Sequence, residues 1–79
     1  MEYKLFTTRF CHKCPAMKEF LGSQDKVSGV VVDCSSAEGM TLAKEFGVTG
    51  VPTVVFVEGG EVKHSCREKS EVESVLSGL

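Results

Sequence analysis

Only Glu58, Gly59 and Gly60 separate the apolar run Thr53-Val54-Val55-Phe56-Val57 from the run Glu61–Ser65. Two glycines at that spacing supply the positive φ angles of a two-residue hairpin, so these runs read as antiparallel neighbouring strands. The first half of the chain is connected differently. The strand-like run Tyr3–Thr8 is followed by Met17, Phe20 and Leu21 at i, i+3 and i+4, the spacing of a helix that buries one face. Next comes the β-branched run Gly29-Val30-Val31-Val32-Asp33. Two strands joined through a helix run parallel, with a right-handed crossover. A chain holding both kinds of connection is restricted to a mixed sheet.

The remaining elements fill in around that frame. Pro15 falls in the first turn of the first helix, where its missing N–H costs little, and Gly22 is placed to end it. The run Gly29–Asp33 has the composition of a strand buried on both faces. Ser35-Ser36-Ala37-Glu38 has capping-box spacing. It opens a second helix with Met40, Ala43 and Phe46 on one side and Gly47 as its stop. Ser70-Glu71-Val72-Glu73 repeats the pattern for a last helix, with Val72, Val75 and Leu76 inward and Gly78 closing it. The expected order is β-α-β-α-β-β-α. This is an α/β domain over residues 1–79, a four-stranded mixed sheet with helices on both faces.

Composition removes several classes of function. With 9 basic and 11 acidic residues the 79-residue chain carries −2, and no long basic run marks it for nucleic acid. No stretch approaches the ~20 apolar residues of a membrane span. The start, Met1-Glu2-Tyr3-Lys4, lacks the basic and apolar regions of a signal peptide. An intracellular, cytoplasmic monomer is expected. Four cysteines could staple a small secreted domain. A Cys-x-x-Cys loop restrains too little chain for that, and enough patterned apolar sequence exists to build a core without it.

The chemistry gathers at Cys11-His12-Lys13-Cys14, between the first strand and the first helix. Unpaired N–H groups and the partial positive charge at a helix N-terminus stabilise a thiolate, the nucleophile of disulfide exchange. The spacing therefore reads as a redox dithiol. A zinc site competes for four Cys and two His, but only one pair has finger-like spacing. Cys34, at a strand end, reads as a small hydrophobe. Cys66 falls past the fourth strand, near the dithiol end, where a regulatory role is the alternative to plain packing. His64 reads as a surface residue of a strand.

Together, Cys11-His12-Lys13-Cys14 and Gly47-Val48-Thr49-Gly50-Val51-Pro52-Thr53 make the chain resemble the thioredoxin/glutaredoxin superfamily, as a minimal thioredoxin fold. The likeness runs along nearly the whole length. It implies a cis Val51–Pro52 bond set against the dithiol, presenting the Val51 backbone to an extended substrate. It implies catalysis by Cys11 and Cys14, and substrate contacts from Phe10, His12, Lys13, Gly50, Val51, Pro52 and Thr53, with no cofactor and no metal. Cys11 is expected before the first helical turn with its sulfur exposed, attacking the substrate. Cys14, one turn in and more buried, resolves the mixed disulfide. Lys13, and His12 when protonated, favour the Cys11 thiolate unless they are simply solvated.

Departures from the family pattern shape the functional expectation. Phe10 stands where thioredoxins carry tryptophan, beside the dithiol, and His-Lys fills the motif. Leu5 replaces their buried acid, so water or Glu19 must accept the Cys14 proton. The extra N-terminal strand and helix of full thioredoxins are absent, which makes the chain glutaredoxin-sized. Yet His64-Ser65-Cys66-Arg67-Glu68 lacks the Gly-Gly…Asp patch with which glutaredoxins bind glutathione. The resemblance thus implies a reductase of protein disulfides, with disulfide-containing proteins as targets and a thioredoxin-reductase-type electron donor. The alternatives are a glutathione-dependent reductase, a metal-binding module or an inactive adaptor. Glutathione would need cationic anchors, and near the motif only Lys13, Arg9 and Arg67 can serve. An apolar, narrow docking surface of Phe10, Val51 and Pro52 is expected, with Thr49 and Gly50 alongside.

Overall fold

A computed structural model describes all of residues 1–79. The elements follow in the order β1 (Glu2–Thr7), α1 (Cys14–Gly22), β2 (Ser28–Asp33), α2 (Ala37–Glu45), β3 (Thr53–Glu58), β4 (Glu61–Cys66) and α3 (Lys69–Ser77). The four strands form one sheet in the order β2-β1-β3-β4. β1 is parallel to β2 and antiparallel to β3, and β3 is antiparallel to β4. Gly59 and Gly60 turn the hairpin with φ of 61° and 83°, the pair of left-handed residues such a turn requires.

Alternation along β1 builds two cores. Tyr3 and Leu5 point to one face, where Met17 and Leu21 of α1, Val72 and Leu76 of α3, and Val54 and Phe56 of β3 close a cluster. Phe6 points to the other, against Val32, Ala43 and Val55. There the Phe6 and Phe46 rings pack at 6.1 Å. β3 is buried from Thr53 to Phe56 because it is central and covered on both sides. No helix is long and apolar enough to cross a membrane.

Several local expectations change. β2 is not buried on both faces. It is an edge strand in which only Val32 is buried, while Val30 and Val31 are 55% and 43% exposed. Only α2 packs on its side of the Phe6 face, and Val32 alone reaches that cluster. Met40, expected inward, is 51% exposed, so α2 buries Ala43 with Phe46 and Leu42 partly covered. The N-cap of α2 is Ser36 rather than Ser35, its Oγ accepting from the Gly39 N–H at 3.0 Å. α3 is capped earlier than Ser70 as well: Glu68 is its N-cap, and the Glu71 carboxylate reaches back to the N–H groups of Arg67 and Glu68, each at 3.0 Å.

Gly47 does stop α2 as its sequence suggests. With φ +69° it lets its own N–H donate to the Lys44 carbonyl while the Val48 N–H donates to Ala43, a Schellman closure. Gly78 closes α3 as its C-cap, but neither it nor Gly22 uses a left-handed turn. Neither has positive φ, and the C-cap of α1 is Ser23.

Candidate active site

Strand register gathers the chemistry at one pole of the sheet. Phe6 of β1 pairs with Thr53 of β3, and Cys66 of β4 pairs with Val54. The segment after β1, the segment before β3 and the segment after β4 therefore emerge together. Cys34, just past β2, joins them through its N–H, which donates to the Thr7 carbonyl at 2.8 Å.

Cys11 and Cys14 are joined in a disulfide, with Cα atoms 5.4 Å apart, at the N-terminus of α1. Their exposure is unequal: Cys14, the first helical residue, is 5% exposed, whereas Cys11 lies outside the helix and is only half-buried. The Cys11 N–H donates to the Thr8 carbonyl at 3.2 Å, folding the loop back before the helix begins. No side chain caps α1 and no acid occupies its first turn. The first-turn N–H groups and the positive end of the helix thus face the dithiol without competition, an environment that favours a thiolate.

The Val51–Pro52 peptide bond is cis, and Pro52 is buried. Behind it Thr53, 3% exposed, donates its hydroxyl to the Gly50 carbonyl at 2.6 Å and so ties the loop to the start of β3. Pro52 lines a cleft of about 540 Å³ together with His12 and Lys13, the two residues between the cysteines. Ala16 and Met17 of α1 complete its floor, and Arg67, Glu68 and Lys69 form the far rim.

The sequence residues expected to contact substrate divide between two grooves. His12, Lys13 and Pro52 face this cleft. Gly50 and Val51, with Thr49, line a second groove of about 300 Å³ that ends at Cys34 and Met40. Thr53 sits beneath the loop and reaches neither. Phe10 is 79% exposed, so it does not pack beside the dithiol as tryptophan's counterpart and is not part of the core. The surface beside Pro52 is largely apolar, and the structure adds a charged rim of Arg67, Glu68 and Lys69.

Arg67 reaches that rim in a particular way. A Cβ placed on Gly50 would lie 2.7 Å from its Nη2 and 3.3 Å from its Cζ, so the guanidinium lies across Gly50. Arg9 is elsewhere. Its charge acts on Asp33, whose carboxyl is held below the usual range first by hydrogen bonding from Ser35 and then by Arg9. Sequence reasoning missed Lys69. The signal available was its position at the N-terminus of the last helix, two residues from Arg67.

The other two cysteines remain thiols. Cys66, 3% exposed, belongs to the larger core, where burial and then the nearby Glu71 push its thiol pKa up. Cys34 is raised by burial and by Asp33. Leu5 is fully buried in the core. Glu19 is exposed and lies five residues along α1 from Cys14, which places it on a different helical face from that sulfur. No three Cys, His, Asp or Glu side chains converge as metal ligands.

A sheet of order β2-β1-β3-β4, a dithiol at a helix N-terminus and a cis-proline segment at the same pole define a thioredoxin-type fold. The thioredoxin domain model matches residues 1–77, and the chain belongs to that family. Solved structures agree on the fold. Thioredoxin 1 from Thermosipho africanus superposes with a TM-score of 0.81 at 20% identity, over 98% of this chain and 88% of that one. Oxidised thioredoxin O2 from Arabidopsis thaliana gives 0.80 at 23% identity, over 99% and 73%. Thioredoxin F from spinach chloroplast gives 0.81 at 23%, over 98% and 73%. No curated protein matches the sequence significantly.

Proposed function

We propose that this protein is a thiol–disulfide oxidoreductase that reduces disulfides in other proteins through Cys11 and Cys14. One observation carries the reading: the two cysteines are bonded to each other at an uncapped helix N-terminus, with the outer sulfur's residue accessible and the inner one buried. In the reduced protein the Cys11 thiolate attacks a substrate disulfide. This forms a Cys11–substrate bond and expels one substrate thiolate. The Cys14 thiolate then attacks the Cys11 sulfur, which closes the Cys11–Cys14 bond and expels the second. Two electrons pass to the substrate, and a thioredoxin-reductase-type donor restores the dithiol. The Val51 backbone offers an extended substrate its hydrogen bonds in the manner of strand addition. Cys34 and Cys66, both unpaired, suit a reducing compartment, and the proposal places the protein in the cytoplasm.

The test is trapping. Cys14→Ser is expected to accumulate mixed disulfides with protein substrates, and Cys11→Ser to capture none. A reductase-coupled insulin assay, run beside a glutathione mixed-disulfide assay, distinguishes the substrate classes. Activity in the second alone would move the protein to glutathione-dependent chemistry.

A further inference from the structure

The cleft beside the dithiol carries a charge imbalance that the chain as a whole does not. The protein is net negative, at −2. Three permanent cations, Lys13, Arg67 and Lys69, surround this one cleft together with His12, against the single carboxylate of Glu68. The nearby Glu71 is occupied, accepting from two backbone N–H groups. None of the three cations is neutralised. The one salt bridge in the structure joins Lys63 to Glu61, on β4. The Lys69 ammonium lies 4.8 Å from the centre of the Phe20 ring, which holds it in place without removing its charge.

We propose that this rim selects protein substrates that carry acidic residues next to the disulfide cysteine, with Arg67 as the principal specificity determinant. The inference rests on the reductase reading above and names its substrate class. Arg67 is singled out by position. Its guanidinium lies across Gly50, the residue before Val51–Pro52, where a chain paired with the Val51 backbone has to pass. A carboxylate flanking the substrate cysteine meets that guanidinium on one side and Lys13 on the other. A lysine in the same place meets like charge. Such contacts act chiefly on encounter and orientation and are screened by salt.

The experiment uses the whole chain and no reductase. Reduced protein is mixed with symmetrical disulfides of one short peptide in which the residues flanking cysteine are Glu, Gln or Lys. Formation of the Cys11–Cys14 disulfide is followed by acid quench, alkylation and mass spectrometry. The protein dithiol loses two electrons and two protons as each peptide disulfide becomes two thiols. The Glu peptide is expected to react about tenfold faster than the Lys peptide at low ionic strength, with the ratio collapsing at high salt. Arg67→Glu should erase or invert that order, read as the Glu-to-Lys rate ratio within the variant, while a far-UV circular-dichroism melt like that of wild type shows that the variant is folded.

Equal rates for all three peptides overturn the charge selection alone. An unchanged order in Arg67→Glu overturns the assignment to Arg67. Failure to oxidise the dithiol with any peptide overturns the reductase reading beneath it. Glutathione disulfide is the remaining arm. If it reacts faster than the Glu peptide, the cleft serves a small acidic disulfide and the protein-segment proposal falls.

Discussion

Replacing Thr53 by valine tests whether a single hydroxyl sets the loop that faces the dithiol. The side chain is 3% exposed, and its Oγ1 donates to the Gly50 carbonyl at 2.6 Å. Valine matches threonine in shape, so packing against the neighbours is preserved while the hydrogen bond is lost. A net hydrogen bond contributes about 1 kcal/mol, and leaving the half-buried Gly50 carbonyl without its partner adds a fraction of that. We therefore expect a loss of roughly 1–1.5 kcal/mol. An unfolding entropy of about 2.1 cal/mol/K per residue gives ~0.17 kcal/mol/K for 79 residues, hence a Tm about 6–9 °C lower. Activity should fall further than stability alone implies, by about three- to tenfold in kcat/KM, because Gly50-Val51-Pro52 would no longer be tied to β3. Thr53→Ser is the counterpart: it keeps the hydroxyl and gives up one methyl, costing about 0.8 kcal/mol in burial. It should lose stability while retaining turnover. The assay pairs circular-dichroism melts of the reduced proteins with disulfide-reduction kinetics. If valine leaves both Tm and kcat/KM at wild-type values, or if serine is the less active of the two, the hydroxyl does not position the loop.

Three further outcomes are expected. Asp33 has a depressed pKa in the folded protein, so its contribution to stability is present above the unfolded value near ~4 and lost as pH falls through the folded one. Urea midpoints of Asp33→Asn should therefore lie below wild type by a constant amount at neutral pH, with the gap closing in acid. Alkylation of the reduced protein should label Cys11 first and Cys66 last, because burial pushes both Cys66 and Cys34 up and Cys66 is barely accessible. Peptide mapping of the labelled thiols would read that order directly. Ser36→Ala removes the acceptor for the Gly39 N–H and should cost about 1 kcal/mol in chemical denaturation, with disulfide exchange unchanged.

The parts of the structure that were legible in the sequence are those decided locally. Gly59-Gly60 dictated the hairpin, and the two cysteines declared their place between a strand and a helix. Sheet order is not a local property. Nothing in Gly29-Val30-Val31-Val32-Asp33 says whether a β-branched strand lies at the centre or the edge, and that misplaced its burial. Capping shifted by one or two residues for a similar reason. Ser36 and Glu68 win because of where the preceding strand releases the chain, which is set by pairing with β1 and β3 rather than by the four-residue motif. Phe10 was misjudged because an aromatic beside a dithiol suggests packing, whereas the loop folded back by the Cys11 N–H leaves it in solvent. The basic rim needed three dimensions, since Lys13 and Lys69 are separated by 55 residues of chain and meet only because α1 and α3 begin at the same pole.

That shared pole has a counterpart at the opposite end. Glu2 opens β1 opposite Ser28 and Val57, beside the hairpin, and α3 runs about 13 Å away from the cleft to Ser77, which shares a groove with Ser23, Gln24 and Lys26. Both ends of the chain thus leave from the side that takes no part in the chemistry. A bead, an electrode or a neighbouring protein joined at residue 1 or 79 would hold the molecule by its base and turn the disulfide outward. The same attachment through Lys13 or Lys69 would press it face down.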